Sequence, residues 1–367
     1  MQYLGQCPSA NGEAVNLEQR RLGRYSAPVS NSELRKDIGR LLWIGFEGTT
    51  VDDRLRATLE AGDAGGVTLF ARNLPKNSEG TDLLALRQLN DALHEAGRAS
   101  GEELVISVDQ EGGRVQRVKA PAEHYPPMMH AEPGHGPDAL AALQALGQRM
   151  GTELAEWGFD IDFAPVLDVH TNPANPIIGD RAFGETPEVV AARALAFAEG
   201  LQAAGILPCG KHFPGHGDTA TDSHLALPRL DFAMERLREI ELAPFVAAIA
   251  AGVPMLMTAH VVFASLDSAV PATLSPAVVT GLLRNELGYQ GVVISDDLDM
   301  RAIADNFSVG EAAVAAIDAG CDVLLLCRSL EHQAEARGAL LSKALEDAGF
   351  RAKISESAAR VRSLLVR

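Results

Sequence analysis

From about Leu41 onwards the chain repeats one rhythm: short, almost unbroken apolar runs separated by longer amphipathic stretches. Eight runs stand out: Leu41–Phe46, Gly66–Ala71, Leu104–Asp109, Asp160–Val166, Leu207–Phe213, Met255–Phe263, Gly291–Asp297 and Asp322–Cys327. Each has strand length and lacks the strict alternation of a sheet with one wet face, so each reads as a strand covered on both sides. Between them, segments such as 81–97, 139–158, 188–205 and 233–252 place apolar residues at helical spacing. Eight buried strands alternating with helices predict an α/β protein of the (β/α)8 TIM-barrel class, one domain over residues 37–367. Residues 1–36 are polar and aperiodic and read as an N-terminal tail or arm. A doubly wound sheet is the rival. It usually carries a glycine-rich phosphate turn after its first strand, and GFEGTTVDD is not one.

Charge narrows the partners. Acidic residues outnumber basic ones 49 to 32, for a formal net charge of −17. A surface that negative repels phosphate backbones and anionic headgroups, so neither nucleic acid nor a membrane surface is an expected partner. The four cysteines, Cys7, Cys209, Cys321 and Cys327, form no CxxC pair and no zinc-type spacing. Three of them sit in or beside apolar runs, as buried free thiols do, which fits a reducing compartment. The first residues have neither a basic segment nor an apolar stretch of leader type, and no 18-residue apolar run occurs. A cytoplasmic, soluble protein, monomeric and acting on a small molecule, is the expectation.

In a barrel of this class chemistry gathers at the C-terminal ends of the strands. The third run ends in Asp109, followed by Gln110-Glu111-Gly112-Gly113-Arg114, with Arg117 a turn further on. The fourth leads to Asp162, Asp168 and a loop bearing Asp180 and Arg181; the fifth ends in Lys211-His212 and continues to His216, Asp222 and His224. His260 follows the sixth run, and Asp296, Asp297 and Asp299 close the seventh. Simpler roles exist for several of these. Asp109 or Asp162 could cap a following helix. Arg181 could do no more than pair with Asp180 or another loop carboxylate. Asp297 and Asp299 could face solvent or helix N-termini. Gly215 and Gly217 flank His216 and predict a tight loop, so the four-residue spacing of His212 and His216 does not put both on one helical face for a metal.

Asp222-Ser223-His224 places a carboxylate two residues before an imidazole, close enough in an extended or turn geometry to orient the ring. The whole segment KHFPGHGDTATDSH (Lys211–His224) resembles the pattern of glycoside hydrolase family 3 β-N-acetylglucosaminidases. VDQEGGRVQRV (Val108–Val118), IIGDRAFG (Ile177–Gly184), MTAHVVF (Met257–Phe263) and ISDDLDM (Ile294–Met300) resemble that family in the same order, and the resemblance spans roughly residues 37–340.

The resemblance implies that 37–367 is a single catalytic domain and that Asp296 is a nucleophile. It makes His224 the acid/base, Asp222 its orienting partner, and Asp109, Arg117, Arg181, Lys211 and His212 the sugar-binding residues. It also implies removal of non-reducing N-acetylglucosamine (GlcNAc) from 1,6-anhydro-muropeptides in peptidoglycan recycling, with no metal or organic cofactor. Retaining chemistry would run through a covalent glycosyl-enzyme, with an imidazole where a second carboxylic acid is usual. Water is the expected acceptor and phosphate the alternative, since a neutral histidine base repels an anion less than a carboxylate does. Three other chemistries draw on the same residues: a metal-dependent hydrolase using His212, His216, His224 and Asp296, a Schiff-base aldolase built on Lys211, and a sugar-binding protein without turnover.

Overall fold

The computed structural model describes residues 30–132, 134–220 and 227–365. Eight parallel strands close into a barrel in sequence order: β1 (Leu42–Ile44), β2 (Gly66–Leu69), β3 (Val105–Val108), β4 (Ile161–Asp162), β5 (Leu207–Phe213), β6 (Met255–Thr258), β7 (Val292–Asp297) and β8 (Val323–Leu326). β8 closes the ring on β1 through Leu42↔Leu324 and Ile44↔Leu326. All eight lie within the apolar runs. Two runs outlast their strands most, each by five residues. The fourth pairs regularly only over Ile161–Asp162, and Pro165, which has no N–H to give, follows shortly. The sixth divides: Val262–Phe263 leaves the barrel and pairs with Arg229–Leu230.

Alternation along the strands sorts the core into two layers. Trp43, Val105, Ile161, Leu207, Cys209, Met255, Met257, Val292, Ile294, Val323 and Leu325 fill the barrel interior. Their neighbours Leu42, Ile44, Val67, Ile106, Leu256, Val293, Leu324 and Leu326 pack outward with the helices. Following the inner face up β3 (105, 107, 109) and β5 (207, 209, 211) leads to Asp109 and Lys211 at the C-terminal mouth.

Helices Leu83–Ala99, Pro137–Glu156 and Pro187–Ala203 match three of the amphipathic segments; the fourth is broken into Met234–Arg236, a π-turn Leu237–Glu241 and Ala243–Ala250. The first helix, Asn31–Leu41, begins inside the stretch read as an arm. A Ser30–Glu33 capping box starts it, and Leu34, Ile38 and Leu41 are buried. It packs on the last helix, Ala348–Leu365, and Asp37 there binds Arg362 (2.6 Å) and Ser355 (3.2 Å). The two ends of the barrel's outer ring are thereby clasped together.

Candidate active site

The strand ends enclose a cavity of about 640 Å³ at the C-terminal mouth, with residues from β2 through β8 in its walls. At two strands consecutive side chains reach it, Lys211-His212 from β5 and Asp296-Asp297 from β7. Both sit at register shifts: His212 is the extra residue of β5 against β6, and an extra residue precedes Asp297 in β7 against β8. A bulge re-aims a side chain that strict alternation would send outward. Sequence alternation alone could not have revealed this doubling.

Charge in the cavity is concentrated around Lys211, whose side chain is only 2% exposed. Its Nζ reaches Asp109 Oδ1 at 2.7 Å and Glu111 Oε1 at 2.6 Å. Arg117 donates to Asp109 Oδ2 at 3.0 Å, and Arg181 grips Glu111 with two hydrogen bonds of 2.8 Å. Three cations thus surround two carboxylates, leaving one net positive charge in the cavity that Asp296 also lines. Burial alone would raise both carboxyl groups, but Arg181 and Lys211 outweigh it for Glu111 and hold it at about 2; Lys211 and Arg117 likewise lower Asp109. Lys211 answers in kind: burial would lower it, and the two carboxylates raise it above its ordinary value. A lysine held so firmly as an ammonium is unsuited to Schiff-base attack, which needs the free amine.

Glu111 comes to this cluster on a small hairpin, Gln110–Gly112 against Val115–Gln116, that folds back over the mouth. Gly112 (φ +87°) and Gly113 (φ +54°) make its turn in a region other residues avoid. Asp162 caps no helix. It is fully buried and accepts the Gln110 N–H at 2.9 Å, tying β4 to the base of that hairpin. Burial pushes its carboxyl well above the usual range. Arg181 pairs with Glu111 and not with Asp180, which is 3.5 Å from Arg114. Sequence reading placed Glu111 only in a glycine turn; its distance to Lys211 depends on long-range closure of the barrel.

Beyond β5, buried Asp168 organises the loop. It accepts the backbone N–H groups of His212 (3.2 Å) and His216 (2.7 Å) and lies 2.7 Å from His212 Nδ1. His216 Nδ1 lies 2.8 Å from Thr219 Oγ1, and burial, with His212 beside it, lowers His216 to about 4. Gly217 permits the loop to touch Val169: a Cβ there would lie 1.7 Å from its carbonyl oxygen. The two imidazoles meet edge to face at 5.9 Å, and among the described residues no group of three or more His, Cys, Asp or Glu is arranged to hold a metal. Asp222 and His224 lie outside the described residues.

Across the cavity, Asp296 Oδ1 accepts the N–H of Asp297 at 2.8 Å. Asp297 and Asp299 do not simply face solvent. Asp297 Oδ1 receives the N–H groups of Asp299 and Cys327 (both 3.1 Å), and buried Asp299 takes the Arg328 N–H at 2.8 Å and contacts His332 Nδ1 at 2.5 Å. Burial, followed by Asp299, pushes Asp297 up to about 7. His260, fully buried after β6, donates through Nε2 to the Asp297 carbonyl at 3.0 Å, and its Nδ1 meets Thr273 Oγ1 at 2.8 Å.

Residues 33–364 match the family described as the glycosyl hydrolase family 3 N-terminal domain. The chain belongs to this family. Among relatives of the family 3 barrel, a β-hexosaminidase of Alkalilimnicola ehrlichii is 41% identical over 293 residues, 79% of this chain and 81% of that protein. β-Hexosaminidase A of Pseudoalteromonas piscicida is 36% identical over 337 residues, 86% of this chain but 55% of its own length. The solved structure of a family 3 β-N-acetylglucosaminidase from Paenibacillus sp. str. FPU-7 superposes with a TM-score of 0.83 at 39% identity, covering 90% of this chain and 62% of that one. The family 3 barrel described here thus spans little more than half the length of some of its relatives.

Proposed function

We propose that this chain is a retaining, exo-acting β-N-acetylglucosaminidase that removes non-reducing GlcNAc from peptidoglycan fragments in the cytoplasm. The observation that carries the reading is that Asp296 lines the same cavity as the Asp109–Lys211–Arg117–Glu111–Arg181 cluster. Such a cluster offers charge-assisted hydrogen bonds to sugar hydroxyls in the cavity that Asp296 also lines. Relatives named as β-hexosaminidases and a β-N-acetylglucosaminidase support the sugar and the bond. The buried free thiols Cys209, Cys321 and Cys327 fit the reducing compartment.

In the first step an Asp296 oxygen attacks the anomeric carbon as the C–O bond to the aglycone breaks, and His224 gives its proton to the leaving oxygen. In the second, neutral His224 takes a proton from water, whose oxygen displaces Asp296 and restores the β configuration. An unperturbed histidine, near pKa ~6.5, suits both halves, and Asp222 would hold its tautomer and stabilise the imidazolium.

Hydrolysis of an aryl N-acetyl-β-glucosaminide, with the anomer of the first-formed sugar followed by NMR, tests this. Release of the β-anomer is expected, unaffected by a strong chelator. Asp296→Ala loses activity by on the order of 10⁴-fold. His224→Ala loses about 10²-fold or more on poor leaving groups and less on good ones. First release of the α-anomer, or full activity in Asp296→Ala, overturns the mechanism.

A further inference from the structure

Among the described residues three aspartates are wholly withdrawn from water: Asp162, Asp168 and Asp322. Two of them have donors on both oxygens. Asp168 is met by the N–H groups of His212 and His216 on Oδ1 and by His212 Nδ1 on Oδ2. Asp322 takes Ser357 and Arg360 on Oδ1, and Arg284 and the Val293 N–H on Oδ2. Asp162 has one donor, the Gln110 N–H on Oδ1, and its Oδ2 is buried without a partner among the described residues. A carboxylate spreads its charge over both oxygens, and leaving one of them dry and without a donor is costly. The same oxygen is a suitable seat for a proton.

The charges around Asp162 favour that proton too. Burial is the largest effect, and it outweighs the Gln110 hydrogen bond and Lys211, both of which favour the ion; Asp109 and Glu111 add to burial. Two members of the Lys211 cluster also hang on this contact. Gln110, fully buried, gives its N–H to Asp162, and its side-chain Oε1 accepts the N–H groups of Arg117 (2.9 Å) and Val118 (3.0 Å). Glu111 follows Gln110 in the chain, so one buried residue connects Asp162 to Glu111 and to Arg117 together. Were Asp162 ionised, three carboxylates would stand among the three cations, and the net positive charge of the cluster would vanish.

We propose that Asp162 is a positioning residue that works as a neutral carboxylic acid, anchoring Glu111 and Arg117 through Gln110 without adding a third negative charge beside Lys211. The proposal rests on the reading that this cluster binds the sugar, and it names what sets the geometry and the charge of the cluster. Asp162 touches no substrate; it acts through the hairpin that carries Glu111.

An infrared difference spectrum, wild type minus Asp162→Asn at pH 7, reads the protonation state directly. It is expected to contain a carboxylic-acid C=O band that shifts when aspartate is labelled with carbon-13; carboxylate bands in its place overturn the proposal. Kinetics on the aryl N-acetyl-β-glucosaminide read the positioning. Asp162→Leu is expected to raise KM by about tenfold with a smaller change in kcat, because the Gln110 N–H loses its acceptor. Asp162→Asn, which keeps a carbonyl oxygen for Gln110 and carries no charge, should bring KM back close to the wild-type value. In a Glu111→Gln background Asp162→Leu should raise KM much less, since its effect runs through the hairpin. If Asp162→Asn is as damaging as Asp162→Leu, or if Asp162→Leu acts undiminished without Glu111, the positioning role falls while the hydrolase reading stands. If wild type cleaves no N-acetylglucosaminide, the hydrolase reading falls and the positioning role falls with it, whatever the infrared bands show.

Discussion

Glu111 shows how a single side chain sets the state of the whole cationic wall. Its two oxygens meet Lys211 and Arg181, and all three groups are nearly or fully withdrawn from water. Removing the anion from such an arrangement leaves buried charge uncompensated, which costs about 3–5 kcal/mol. Glu111→Gln is therefore expected to lower stability by about that much at pH 7. The pH dependence has a definite sign. The folded carboxyl ionises at about 2 against an ordinary 4.5, so its contribution is fully present above about 4.5 and fades as the pH falls toward 2, by about 3 kcal/mol in all. Urea titrations of wild type and Glu111→Gln from pH 7 down to pH 3 should show two curves converging below about 4.5; parallel curves would refute the assignment. Asp109, Arg117, Lys211, His212 and Asp296 were legible as cavity residues because each stands at or just beyond the end of an apolar run. Glu111 and Asp168 were legible only as loop acids, since their partners lie 70 or more and 44 residues away in sequence.

At the scale of elements, the eight strands could be read because a barrel strand buried on both faces has nothing polar to interrupt it. Strand lengths were harder to read, because a run stays apolar after it has left the barrel, as Val262–Phe263 does. The bulge in β7 was hidden for the same reason, yet it brings Asp296 and Asp297 together to the mouth. His260 secures that bulge from β6 through the Asp297 carbonyl, one peptide from Asp296. His260→Phe preserves bulk but removes the donor. Its expected effect is a fall in kcat of about 10- to 100-fold with little change in KM, because the Lys211 cluster is untouched while Asp296, the proposed nucleophile, loses its fixed angle. His260→Gln, which can still donate, should recover part of the rate. An equal rise in KM, or no recovery, would mean that His260 only fills space.

For the whole molecule, the clasp between the first and last helices decides how the barrel comes apart. Strands of two to seven residues hold the ring, and none has an edge while β1 and β8 remain paired. Helix Asn31–Leu41 leads directly into β1, and the helix it packs on, Ala348–Leu365, is the last element of the fold. Weakening the clasp therefore loosens the one seam where the barrel's beginning meets its end, and every other strand depends on that seam for closure. Ile38, fully buried on the first helix, is the place to do it. Ile38→Ala should cost about 2–5 kcal/mol through the lost side chain and the cavity it leaves. Trp43 lies inside the barrel next to that seam and Trp157 in the outer layer, so in a Trp157→Phe background tryptophan fluorescence reports the interior while far-UV circular dichroism reports the helices. If the ring closes and opens as one unit, both signals should shift to lower urea together in Ile38→Ala, and kcat per folded molecule should stay at the wild-type value. A fluorescence transition that precedes the loss of helix would instead mean that the seam opens first and that the remaining helices stand without it.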